Sequence, residues 1–166
     1  TKRDFVIGIA ASGRTPYAIG AVEYAKELGA KTGSISCNKN AKISTFVDYP
    51  IEIETGAEVL SGSTRLKAGT ATKLVLNMIS TTAMIKIGKV YDNLMVDVKP
   101  TNEKLVDRAT KIISEISGCD YDKSHKLLKE ANNNVKAAII MATKDVGYKE
   151  AINILEKNKG FIREDL

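Results

Sequence analysis

Residues 5–10, F-V-I-G-I-A, have the aromatic and β-branched content of a buried strand, and the chain breaks immediately afterwards into A-S-G-R-T-P-Y. Pro16, followed by Ala18, Ile19, Ala21, Val22, Ala25 and Leu28, predicts a helix with proline in its first turn, ended by Gly29. Residues 31–37 then supply a second small strand containing G-S-I-S-C. A strand, a loop, one helix and a returning strand within forty residues imply a parallel sheet with a right-handed crossover. Ligands in open parallel sheets bind at the carboxyl ends of the strands, which is where this order places Ser12, Gly13, Arg14 and Thr15.

A third strand is expected over residues 49–53, and it leads into a second unusual stretch, residues 54–73, E-T-G-A-E-V-L-S-G-S-T-R-L-K-A-G-T-A-T-K. Ser61, Gly62, Ser63 and Thr64 concentrate hydroxyls and a small residue before a long helix whose apolar stripe is Ala71, Leu74, Val75, Met78, Ile79 and Ala83. Free N–H groups in a first helical turn, the positive end of the helix dipole, short hydroxyls and the cations Arg65 and Lys67 suit a phosphate or carboxylate. An ordinary N-cap needs the same Ser and Thr, so the stretch alone leaves both readings open. The off-stripe residues Leu76 and Ile85 widen the helix's apolar arc, and such a helix needs cover on more than one side.

Gly88 marks the end of that helix, and the alternation from Asn93 to Val98 predicts a further strand before Pro100. From Thr101 the pattern is helical: residues 103–116 with Leu105, Val106, Ala109, Ile112, Ile113 and Ile116 on one face, then 121–131, 135–143 and 148–157. His125, beside Leu127 and Leu128, reads as a structural histidine, and Cys37 and Cys119 stand outside any metal or C-x-x-C spacing. No metal or cofactor site is therefore expected. The net charge of +5 is concentrated in the first hundred residues, which hold thirteen Lys and Arg against nine Asp and Glu. Without a basic cluster interleaved with aromatics this points to a small anion rather than nucleic acid. No apolar run has the length of a membrane span and no signal-peptide pattern is visible, so a cytoplasmic location is expected.

Residues 9–17, I-A-A-S-G-R-T-P-Y, and 58–80, E-V-L-S-G-S-T-R-L-K-A-G-T-A-T-K-L-V-L-N-M-I-S, closely resemble the second half of the N-acetylmuramic acid 6-phosphate etherases. The similarity continues through G-K-V-Y-D-N-L-M-V-D at 88–97 and into the helical tail. The wider class is the phosphosugar-binding sugar isomerase (SIS) domain. The resemblance implies an α/β fold, a parallel-sheet three-layer sandwich of flavodoxin-like topology, over residues 1–100. A small all-helical, UBA-like subdomain over 101–166 would follow.

It also implies an ether lyase that removes D-lactate from C3 of N-acetylmuramic acid 6-phosphate and leaves N-acetylglucosamine 6-phosphate. The family's two acid–base glutamates belong to N-terminal motifs that no part of this chain matches, so the chain is expected to be a C-terminal portion without them. Ser12, Gly13, Arg14 and Thr15 stand at the phosphate-gripping S-G-x-T position, and Ser61, Ser63, Thr64 and Lys67 in the sugar-facing segment. Glu58 is then the one carboxylate expected near the pocket, either as a sugar-hydroxyl acceptor or auxiliary base or as a helix-start carboxylate. The expected partners are a phosphorylated amino sugar and a second copy in a homodimer. The alternative is a non-catalytic phosphosugar sensor of the glucokinase regulatory protein branch.

Overall fold

The structure, a computed structural model, describes residues 1–163 and divides into two compact units at Ile79 and Ser80. In the first unit, β1 (Phe5–Ile9), β2 (Lys31–Ser36) and β3 (Tyr49–Glu52) form a parallel sheet in the order β1-β2-β3. Helix α1 (Pro16–Glu27) connects β1 to β2, and a 3-10 turn (Lys42–Phe46), which the sequence pattern did not signal, connects β2 to β3. Pro16 stands at the helix start, where its missing N–H leaves no bond unmade, and Gly29 follows the helix in the left-handed region at φ +80°. The α/β class and the strand, loop, helix, strand order are those expected.

Alternation along β1 assigns the two faces of the sheet. A Cβ on Gly8 would meet Val22 and Ile43, so that face packs on α1 and the 3-10 turn. There Ala10, Ala18, Ile19, Val22, Ala41 and Ile43 make a small core. On the opposite face the Phe5 and Tyr49 rings lie 5.7 Å apart. Gly33 sits between them, where a Cβ would come within 3.1 Å of the Phe5 ring. Phe5, Ile9 and Tyr49 remain exposed.

Helix α2 (Lys67–Lys86) runs for 20 residues, as the stripe predicts, but Ala68 is its one buried residue, and Leu74, Met78 and Ile85 are all exposed. In the second unit, residues 90–95 form a two-stranded hairpin rather than the longer strand expected at 93–98. Here β4 (Val90–Tyr91) and β5 (Leu94–Met95) pair antiparallel around Asp92 and Asn93, with Asp92 left-handed at φ +51°. Helices α3 (Glu103–Ser117), α4 (Tyr121–Glu130), α5 (Val135–Lys144) and α6 (Tyr148–Lys157) follow. Their facing sides bury Ile113, Leu128, Ile139 and Ile140 completely. The sequence reading placed residues 80–100 with the sheet. Val96 and Val98 pack instead in this helical core. Lys136 Nζ donates to the Gly88 and Gly160 carbonyls at 3.0 and 2.8 Å, tying the hairpin's start to the end of the described chain.

Candidate functional site

The chain leaves β1 through a tight turn. Ala10 N–H donates to Ile35 O (3.0 Å), prolonging the ladder with β2, and Gly13 N–H donates back to Ala10 O (2.8 Å). Gly13 has φ +65°, and a Cβ there would lie 2.5 Å from the Ala41 Cβ, so both the backbone conformation and the close approach require glycine. Arg14 N–H donates to Ser12 Oγ (3.3 Å). Thr15 precedes α1 in an extended conformation, and its side chain makes no capping bond to the helix. Ser12, Arg14 and Thr15 are all exposed. Their polar groups are thus displayed at the carboxyl end of β1 and at the positive end of a 12-residue helix.

Facing this turn are residues 38–41, which follow β2. Cys37 N–H and Asn38 Nδ2 donate to Ala11 O at 2.9 and 3.0 Å, and Ile43 N–H donates to Gly13 O at 2.9 Å. Asn40 takes the left-handed conformation, φ +53°. Glu52, the last residue of β3, reaches this segment with both carboxylate oxygens: Oε2 accepts from Asn40 N–H and Oε1 from Ala41 N–H, each at 2.9 Å. Oε1 also accepts from Ser44 Oγ at 2.6 Å. The Ser44 hydroxyl first, then the Ala41 and Asn40 N–H groups, hold this carboxyl below the usual glutamate range.

Between the two segments lies an open cavity of about 350 Å³ lined by Ser12, Arg14, Asn38, Lys39, Asn40 and Ala41. No carboxylate lines it. Lys39 Nζ pairs with Glu54 at 2.6 Å, and Arg14 makes no ion pair among the described residues. A hydroxyl, a guanidinium, amide groups and an ammonium around a small open volume suit a tetrahedral oxyanion, because bonds from charged donors to anionic oxygens are the short, strong ones. The structure therefore brings Ser12 and Arg14 together across from Asn38, Lys39 and Asn40, which sequence reasoning did not single out. The one available signal was the run N-K-N after a strand, which reads as turn composition.

The second stretch behaves differently. Glu58 accepts from Lys67 N–H (2.9 Å) and Ala68 N–H (3.0 Å), so two first-turn donors of α2 are satisfied by the chain's own carboxylate, and Gly69 and Thr70 N–H donate to the Thr64 and Leu66 carbonyls. Lys67 Nζ donates to Ala57 O at 2.8 Å. Ser63 N–H donates to Leu60 O and Thr64 N–H to Gly62 O, at 3.0 and 3.1 Å, within a local turn. Ser61, Ser63, Thr64 and Lys67 do not line the cavity of Ser12 and Arg14. Lys67 instead borders a separate, wider depression with Thr55, Arg65, Leu66, Thr70 and Leu74. Glu58 is held below the usual glutamate range by the Ala68 N–H first and the Lys67 N–H second. A carboxylate so held is a weaker base, and its two backbone hydrogen bonds are those of a helix cap.

In the helical unit His125 has Nδ1 3.3 Å from Thr110 Oγ1 and its ring stacked on Tyr121, a structural setting. Among the described residues no three His, Cys, Asp or Glu side chains gather as metal ligands would, and no helix is long and apolar enough to cross a membrane.

Residues 1–82 match the SIS domain family. Over all 166 residues the chain is 61% identical to an N-acetylmuramic acid 6-phosphate etherase of Exiguobacterium sp., covering 56% of that protein. It is 58% identical over 163 residues, 98% of the chain, to the etherase of Francisella tularensis subsp. novicida, and covers 55% of it. A Bacillus cereus etherase is 58% identical over 165 residues, 99% of the chain, with 56% of that protein covered. The chain thus spans a little over half the length of these relatives. Residues 1–82 thus carry a SIS domain, and from the first strand through the last helix the chain is similar to the matching part of proteins named N-acetylmuramic acid 6-phosphate etherases.

Proposed function

We propose that this chain provides the phosphosugar-binding part of a carbon–oxygen lyase that converts N-acetylmuramic acid 6-phosphate to N-acetylglucosamine 6-phosphate and D-lactate, acting in the cytoplasm on cell-wall amino sugars. The observation that carries the reading is the identity to named etherases along the whole chain, coinciding with a cavity built from Ser12, Arg14 and Asn38 that suits a phosphate. In this reading the 6-phosphate is held by the Ser12 and Thr15 hydroxyls, Arg14 and the turn around Gly13. Ser61, Ser63, Thr64 and Lys67 stand in the neighbouring segment toward the sugar. In the elimination a carboxylate takes the C2 proton, the C3–O bond to lactate breaks with a proton delivered to the departing oxygen, and water then adds across the new double bond. Glu52 and Glu58 are each engaged by two backbone N–H groups, which leaves neither well suited to that proton transfer. The acid–base pair is assigned to glutamates outside this chain.

Calorimetry with N-acetylglucosamine 6-phosphate tests the site. Losing a bond to a charged oxygen is worth about 1.5–3 kcal/mol, so Ser12→Ala is expected to weaken binding roughly ten- to a hundredfold. Unchanged affinity in that variant would move the phosphate elsewhere. Helix α2 exposes Leu74, Leu76, Met78, Met84 and Ile85. Apolar area on that scale calls for cover, and the reading assigns it to a second copy of the chain in a homodimer. Sedimentation velocity would show that dimer, and a stable monomer at high concentration would refute it.

A further inference from the structure

We infer that Glu52 is a positioning residue for the anion cavity, its carboxylate fixing residues 38–41 as the wall opposite Ser12 and Arg14. The inference rests on the phosphate-site reading above. Asn40 reverses the chain in the left-handed region, and the turn leaves the Asn40 and Ala41 N–H groups with no strand to pair with. Backbone donors so placed need an acceptor. Glu52 supplies one oxygen to each, and its own backbone lies in ladder register with Ser36 at the end of β2. The acceptor is therefore mounted on the sheet. From the cavity's other side the same segment is fastened to the Gly13 turn, by Asn38 Nδ2 to Ala11 O and by Ala41 against Gly13. With Glu52 removed, the Asn38 bond to Ala11 O and the Lys39–Glu54 pair still hold the start of the segment. The Asn40 and Ala41 N–H groups, however, lose their acceptors, and the wall loses its fixed distance from Ser12 and Arg14 there.

Two effects of the Glu52 charge oppose each other. As a like charge it disfavours a bound phosphate, so on Coulomb attraction alone its neutralisation would tighten binding. As the clamp of the wall it favours binding. Its charge is already shared among three hydrogen-bond donors and screened at an exposed residue, so the geometric effect is the larger. Glu52→Gln separates the two, because the amide keeps nearly the same shape and one acceptor oxygen but turns an NH₂ group toward an N–H donor.

The experiment is a titration of N-acetylglucosamine 6-phosphate into the ¹⁵N-labelled 166-residue chain, read at the amides of Ser12, Arg14, Asn40 and Ala41. The wild-type chain is expected to show saturable shifts at Ser12 and Arg14. Glu52→Gln is expected to raise the Kd about tenfold and to move the ligand-free Asn40 and Ala41 amide protons upfield, with amides of the helical unit unmoved. Ser44→Ala, which removes one donor and leaves the carboxylate in place, is expected to raise the Kd severalfold, and it carries the test if Glu52→Gln does not fold. Wild-type or tighter binding in both variants would overturn the inference, as would unmoved Asn40 and Ala41 amides in Glu52→Gln. No saturable shift at Ser12 and Arg14 in the wild-type chain would instead overturn the phosphate-site reading itself, and this inference with it.

Discussion

The helical unit fully buries Ile113, Leu128, Ile139 and Ile140, and it closes the starts of α3, α4 and α5 with the side chains of Asn102, Asp120 and Asn134. The sheet unit has a core built largely from alanine, valine and isoleucine around one face, buries Thr32, Ser34 and Ser36 along β2, and leaves Phe5, Ile9 and Tyr49 exposed. Its helix α1 begins at Thr15 without a side-chain cap. One region thus caps three of its helix starts with its own side chains and buries its large aliphatic residues in a common core. The other keeps hydroxyls, a guanidinium and a helix start available at one edge. Stability and binding are accordingly expected to separate between the two regions under mutation.

The largest expected effect is in the helical core. Ile113 is 0% exposed, and truncating a fully buried isoleucine leaves a cavity, so Ile113→Ala should remove about 3–4 kcal/mol. Amide hydrogen exchange should show lost protection in α3, α4 and α5 with the amides of β1 and β2 unaffected. Equal loss of protection in the strands would end the distinction between the units. Next in size is Gly13→Ala in the sheet unit. A Cβ there meets the Ala41 Cβ at 2.5 Å in a left-handed backbone, which should cost about 2 kcal/mol. The pattern of exchange should be the reverse, with β1 and β2 weakened, the helical unit intact, and the affinity for N-acetylglucosamine 6-phosphate lost along with the turn.

The sequence showed some of this contrast clearly. The run F-V-I-G-I-A, Pro16 and Gly29 bounded β1 and α1, because the signals for a buried strand, a proline start and a left-handed stop are all local. The bounds of α6 and the Gly118 cap of α3 were readable for the same reason. Glu52 was not readable: it bonds to Asn40, twelve residues away, and no periodicity records a carboxylate that crosses from one strand end to the loop after another. Glu58 could be read as a ligand-facing group or as a helix-start carboxylate, because the turn at 59–66 separates it from the first N–H groups of the helix that it accepts from. Residues 93–98 alternate as a strand should, yet Asp92 and Asn93 make a hairpin turn after two residues. Val96 and Val98 are then drawn into the helical core, a tertiary decision that alternation does not encode.

The smallest expected effect bears on the contrast most directly, because it compares the same position in the two regions. Asn102 Oδ1 accepts from Leu105 N–H at 2.9 Å, satisfying one of the first-turn donors of α3. Replacing such a cap by alanine removes about 1 kcal/mol, so Asn102→Ala should lower the stability of the helical unit by that amount and leave ligand affinity unchanged. Thr15 occupies the corresponding position before α1 but makes no such bond, and the proline that follows brings no first-turn N–H of its own to satisfy. Thr15→Ala should therefore change stability by no more than a few tenths of a kcal/mol, within the range of a surface substitution. If the hydroxyl is held for phosphate, the same change should weaken N-acetylglucosamine 6-phosphate about tenfold. Thermal unfolding and calorimetry on the two variants give a crossed result if the regions differ as described. A stability loss in Thr15→Ala as large as that in Asn102→Ala, with affinity retained, would show that the hydroxyl serves the helix rather than the ligand.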